Sequence, residues 1–133
     1  MSNTNHSKSI PQRAGPHLCR CCLLPLLLLL ALPAAVQAQF TYTTTNGTIT
    51  ITGYTGPGGA VTIPSTIDGL PVTSVGDGAF GECGSLTTVR MGTNVTNIGR
   101  LAFEYCTNLT SVTIPNSVTS IGANGFYDYT SLP

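Results

Sequence analysis

The side chains able to do chemistry are few and unevenly placed. Both histidines, His6 and His17, and the single lysine, Lys8, stand in the first 38 residues. Beyond Gln39 the side chains charged at neutral pH are Asp68, Asp77, Glu82, Glu104 and Asp128 against Arg90 and Arg100, a formal charge of −3 for residues 39–133. A Ser or Thr nucleophile needs a base to take its proton, and neither His nor Lys is there to serve. Asp77 and Glu82, five positions apart, are the nearest thing to a carboxylate pair for acid-base work. Cys83 and Cys106 without a histidine do not make an ordinary zinc site. Asp68-Gly69 and Asp77-Gly78 are too isolated for a calcium loop, which needs several oxygens at fixed spacing. The sequence therefore predicts no enzyme, no catalytic residues, no metal and no cofactor. The acidic balance also argues against nucleic acid, whose binding needs clustered Lys or Arg, and against an electrostatic grip on anionic lipid.

Residues 1–38 read as a secretory signal. Lys8, Arg13 and Arg20 precede the apolar run Leu23–Val36, and Val36 and Ala38 bracket Gln37 as a cleavage site requires. The run of 14 residues is too short to cross about 30 Å of hydrocarbon as a helix, and Pro25 and Pro33 weaken it further, so no stable membrane span is expected after cleavage. Cys19, Cys21 and Cys22 leave with the signal. The expected location is secreted or at the cell surface.

What remains is rich in Thr, Gly, Val, Ile and Ser, a composition for strands and tight turns rather than long helices. It is also periodic. Written in lines of 23 from Val72, the sequence aligns without gaps: Val72, Val95 and Val118; Val75, Ile98 and Ile121; Gly76, Gly99 and Gly122; Phe80, Phe103 and Phe126; Leu86, Leu109 and Leu132. Val89 shares a column with Val112, and Cys83 with Cys106, where the third line has Tyr129. The motif "VTIP" at Val61–Pro64 returns at Val112–Pro115, with "TIDGL", Thr66–Leu70, as an inserted surface turn. One such line cannot bury its apolar columns alone, whereas coils stacked about 4.8 Å apart bury each column against its next copy. The expectation is a mainly β solenoid. Each coil holds a short strand such as Leu109–Pro115, a second extended piece, Ser117–Gly122, ended by a glycine free to take positive φ, and a single helical or 3-10 turn over Arg100–Leu109 that points Phe103 inward.

The stretches "VTSVGDGAFGECGSLTTV", "VTNIGRLAFEYCTNLTSV" and "LTSVTIPNSVTSIGANGF" resemble the BspA-like leucine-rich repeat, a 23-residue variety. The resemblance implies a leucine-rich-repeat solenoid in exported or surface proteins that bind other molecules. Met91-Gly92 in place of Ile-Pro, Gly125 in the column of Ala79 and Ala102, and Tyr129 in the cysteine column depart from the pattern.

The domain reading follows: signal peptide 1–38, N-terminal β-hairpin cap 39–59, and repeats 60–133, about three coils with the last incomplete. The cap is read from Phe40–Tyr54, two Thr-rich runs around Asn46-Gly47, the pair that a type I′ turn prefers. Column sharing sets Asp77 beside Arg100 in the next coil as an exposed ion pair. It also sets Cys83 beside Cys106, as packed thiols or, in an oxidising compartment, a disulfide. Sequons fall at Asn46, Asn94 and Asn108.

Function is then expected on the exposed strand columns: Thr87, Arg90, Thr110 and Thr113 form the candidate binding face, for a protein or polysaccharide ligand. The alternative reading is the N-terminal fragment of a larger surface repeat protein without independent activity. At the last coil, either Tyr127 and Tyr129 fold over the final core face or the repeat array goes on; self-association through that open coil is a further expectation.

Overall fold

The computed structural model describes residues 39–127. The signal segment, Asp128, Tyr129, Leu132 and Pro133, with the expectations attached to them, lie outside the described residues. Nine strands follow in order: β1 (Phe40–Thr45), β2 (Thr48–Tyr54), β3 (Gly59–Ile63), β4 (Thr66–Ile67), β5 (Leu70–Val75), β6 (Leu86–Met91), β7 (Asn97–Ile98), β8 (Ser111–Thr113) and β9 (Ser120–Ile121). They make two ladders. A long sheet runs β1-β2-β5-β7-β9, with β4 paired to β5, and a three-stranded sheet runs β3-β6-β8. Each coil gives one strand to each sheet, and the coil-to-coil pairings are parallel, with Val75↔Ile98↔Ile121 and Val61↔Val89↔Val112 in register. This is the β solenoid expected from the 23-residue period.

A third side closes each coil. Single turns stand there as expected, closed by i+3 bonds such as Cys83 N–H to Phe80 O (3.2 Å) and Cys106 N–H to Phe103 O (3.4 Å). They do not join into a helix, because every coil breaks handedness at the same places: Gly78, Leu101 and Asn124 share one positive-φ column, and Glu82 and Tyr105 share another. Those reversals aim alternate N–H groups along the solenoid axis. Gly78, Phe80 and Glu82 donate to the carbonyls of Arg100, Ala102 and Glu104 at 2.9, 2.7 and 2.7 Å. Leu101, Phe103 and Tyr105 donate in the same way to Ala123, Gly125 and Tyr127. The coils are thus hydrogen-bonded on three sides, which satisfies backbone groups that an isolated coil would leave open.

The glycine column has a different cause from the one expected. Gly76, Gly99 and Gly122 do not take positive φ; a Cβ at Gly99 would lie 2.6 Å from the Asp77 nitrogen, and one at Gly122 would lie 2.6 Å from the Arg100 nitrogen. The column is glycine because adjacent coils bring their backbones together at that corner.

Inside the prism the columns stack. Phe80, Phe103 and Phe126 lie face to face, with centroids 4.9 and 5.3 Å apart and interplanar angles of 15° and 6°. The hairpin extends the stack: Tyr54 lies on Phe80 at 5.4 Å, and Phe40 meets the same ring edge-on at 6.3 Å. Such aromatic pairs add about 0.5–1.5 kcal/mol each beyond area burial. β2 also mimics a coil, setting Ile49 opposite Val72 and Ile51 opposite Val75. Its turn places Asn46 and Gly47 at φ 50° and 74°, both positive as type I′ requires.

The inserted "TIDGL" forms a second tight turn, with Asp68 at φ 51° and Gly69 at φ 78° between β4 and β5. Ile67 is buried, and Asp68 Oδ2 accepts a 2.8 Å hydrogen bond from the Tyr42 hydroxyl. The insertion therefore latches the hairpin to the first coil.

Candidate binding face

The strand face is built from the register of β3, β6 and β8. Pairing sets Thr62 beside Arg90 and Arg90 beside Thr113, all three exposed. Thr110 joins Thr87 just ahead of the ladder: its N–H and its hydroxyl both donate to the Thr87 carbonyl, at 2.9 and 3.1 Å. The four residues singled out from the sequence thus form two exposed columns, Thr87–Thr110 and Arg90–Thr113. Ala60, Thr88 and Ser111 form the row beside the Arg90 column. Thr62 and Ser111 escaped the sequence reading; the shared "VTIP" motif, offset by the five inserted residues, was the signal for Thr62.

Several contacts hold this face still. Beneath it Val61, Leu86, Val89 and Leu109 are buried. The Thr110 hydroxyl is tied to the previous coil by its bond to the Thr87 carbonyl. Threonine hydroxyls do the same on the long sheet, where Thr96 donates to Thr73 O at 3.1 Å and Thr119 to Thr96 O at 3.3 Å. Arg90 makes no ion pair among the described residues, so its guanidinium, with five donors and no acceptor, stands on the face available to a ligand.

The carboxylates gather elsewhere. An open groove of about 390 Å³ on the turn side is lined by Asp77, Gly78, Gly81, Glu82, Arg100, Leu101 and Glu104. Asp77 and Arg100 are neighbours there as the column predicts, but the contact is not the expected ion pair. Asp77 Oδ1 accepts from the Arg100 backbone N–H at 2.7 Å, because the close corner at Gly99 presents that amide first.

The cysteines also part company with the sequence reading. Cys106 is a buried thiol that donates to the Phe80 carbonyl at 3.0 Å. Cys83, equally buried, is disulfide-bonded rather than a packed thiol, and because Cys106 is free the Cys83–Cys106 bridge does not form. The asparagine amides serve the stack: Asn94 donates to Ser65 O at 2.9 Å, and Asn108 donates to Gly84 O. Of the three sequons, only Asn46 sits on an exposed turn without such a bond. Among the described residues no helix is long and apolar enough to cross a membrane.

The sequence of residues 60–133 matches the family of the BspA type leucine rich repeat region, six copies. The chain belongs to the BspA-type leucine-rich-repeat family. Among solved structures, the BspA-type fold is shared with a leucine-rich repeat protein of T. pallidum, 42% identical over 63% of this chain and 40% of that one, at a TM-score of 0.62. A leucine-rich repeat protein of Bacteroides capillosus is 32% identical over 66% of this chain and 70% of that one, at 0.60. A protein of Faecalibacterium prausnitzii described as a leucine rich cell surface protein is 35% identical over 63% of this chain and 25% of that one, at 0.58. The BspA-type chain thus spans well under half of the T. pallidum and F. prausnitzii proteins. No curated protein matches it.

Proposed function

We propose that this BspA-type chain is an exported, non-enzymatic binding module that recognises a protein or glycan outside the cytoplasm through Thr87, Arg90, Thr110 and Thr113. The observation that carries the reading is the pair of exposed columns, Thr87–Thr110 and Arg90–Thr113, with a guanidinium that makes no ion pair among the described residues. Such a surface suits a ligand that offers many weak hydrogen bonds and some negative or carbonyl character, and it repels polyanions less than the acidic groove does. Export rests on the signal segment 1–38, and a surface location is in keeping with the F. prausnitzii relative. In this reading the hairpin 39–59 is the cap of the first coil.

The test is binding of the full chain to two immobilised panels, neutral polysaccharides and extracellular-matrix proteins. Saturable binding to one panel that falls at least tenfold in Arg90→Ala/Thr113→Ala supports the proposal. Binding indifferent to that double change, or none to either panel, rejects it. A second reading, an amino-terminal portion of a larger surface repeat protein, is favoured by the 40% and 25% coverage of two relatives. Genomic sequence that continues the 23-residue pattern beyond the Pro133 codon decides for it.

A further inference from the structure

The sequence holds two Asn-Gly pairs, Asn46-Gly47 and Asn124-Gly125. In this dipeptide the backbone nitrogen attacks the asparagine side chain most readily, because glycine leaves that nitrogen unshielded. The fold treats the two pairs differently. Both asparagines are exposed and both take positive φ, 50° at Asn46 and 56° at Asn124. Gly125, however, is buried; its N–H donates to the Gly122 carbonyl at 3.1 Å, and its carbonyl accepts from the Phe103 N–H at 2.9 Å. Gly47 is exposed, and its N–H makes no hydrogen bond among the described residues. A Cβ built on Gly47 would meet nothing within 4 Å, whereas one on Gly125 would lie 3.0 Å from Ile121. The peptide between Asn46 and Gly47 is therefore free to swing toward the Asn46 side chain, while the one before Gly125 is pinned.

We infer that Asn46 is a self-modifying site, which deamidates in the folded protein and whose isoaspartyl product loosens strand β1. The Gly47 nitrogen, its proton taken by solvent base, bonds to the Asn46 Cγ; the Cγ–Nδ2 bond breaks, and the nitrogen leaves as ammonia with a proton returned from solvent. Water then opens the resulting cyclic imide. Opening at Cγ gives aspartate in the ordinary chain, and opening at the backbone carbonyl carbon gives isoaspartate, whose main chain runs through Cβ and Cγ. Water is the only co-reactant, and either product adds a negative charge to the hairpin tip.

The two products act differently on the hairpin. Asp-Gly suits a type I′ turn as Asn-Gly does, so aspartate keeps the Thr45↔Thr48 pair that closes the loop. Isoaspartate adds a backbone carbon to a loop whose length sets the register, and that pair no longer closes. Among the strands β1 pairs with β2 alone, and it carries Phe40, which packs on Tyr54 at 5.6 Å and on Phe80 at 6.3 Å. Slow chemistry at the tip thus reaches the cover of the ring stack.

The test incubates the full chain in buffers of rising pH, with and without denaturant, and follows both asparagines by peptide-mapping mass spectrometry. In the native protein the Asn46 amide should be lost at least tenfold faster than that of Asn124, at a rate that climbs with pH because the attacking nitrogen must lose its proton. In denaturant, where both glycine amides are free, the two rates should converge. Hydrogen exchange of the β1 amides should be at least tenfold faster in the isoaspartyl fraction than in Asn46→Asp. Asn46→Gly, which also suits the turn, should keep β1 protected through the same incubation. Equal native rates, Asn124 reacting ahead of Asn46, or a difference that survives denaturation overturns the inference. So does an isoaspartyl form whose β1 exchanges like that of Asn46→Asp, or a β1 that loosens equally in Asn46→Gly.

Discussion

The two ends of the solenoid carry the same residue types in the same columns and meet opposite fates. At the hairpin end, β2 supplies Ile49 and Ile51 to the Val/Ile columns, and Tyr54 and Phe40 complete the ring stack; all four are buried. At the other end, Ile121 occupies the column of Ile98 and stays half exposed. The edges differ as well. β1 carries a register shift between Thr41 and Tyr42, a bulge of the kind that discourages edge pairing, while β8 and β9 are plain. Burial in a repeat fold is therefore a property of the neighbour rather than of the residue, and stability should be graded along the axis.

The largest test of that grading is the ring stack. Phe103→Ala removes a fully buried ring held on both faces and should cost about 3–5 kcal/mol, enough to unfold a module of this size. Phe126→Ala, at a partly covered position, should cost less. Equal midpoints for the two variants in urea denaturation would erase the distinction between the ends.

Next in size is the close corner. Gly99→Ala forces a methyl against backbone on a coil packed from both sides and should cost about 1–3 kcal/mol. Gly122→Ala makes a similar clash at a less buried corner, so a smaller loss is expected. Ile98→Thr against Ile121→Thr probes the same gradient with a polar group: a clear loss of thermal midpoint for the first and a change within about 0.5 kcal/mol for the second.

The smallest effect tests the latch at the hairpin end. The Tyr42 phenol is held above its ordinary pKa by its hydrogen bond to Asp68, then by partial burial, then by the Asp68 charge. A raised folded-state pKa means that the contribution is complete below the unfolded value of about 10 and is lost as pH rises through the folded value. Tyr42→Phe should thus lower stability by about 0.5–1 kcal/mol at neutral pH and remove part of the alkaline destabilisation. A difference between wild type and variant that grows, rather than shrinks, above pH 10 would break this assignment.

Much of this was legible in the sequence. The 23-residue columns fixed which residues face inward, Asn46-Gly47 marked the first hairpin, and the register they imply set Thr87 with Thr110 and Arg90 with Thr113. These features repeat a local pattern whose meaning each coil carries within itself. The rest needed the neighbouring coil in place. Leu101 and Tyr105 take positive φ although neither is glycine, because only that reversal aims their amides at the next coil's carbonyls. The Gly99 corner is narrow because two backbones meet there, and the same approach hands the Asp77 carboxylate to an amide instead of a guanidinium. Tyr54 joins the ring stack from outside the repeat, at an offset with no periodic signal. The sequence by itself determined the columns, since side-chain type and spacing act within one coil; the tertiary structure alone decided backbone handedness, hydrogen-bond partners and exposure, since each depends on what lies one coil away.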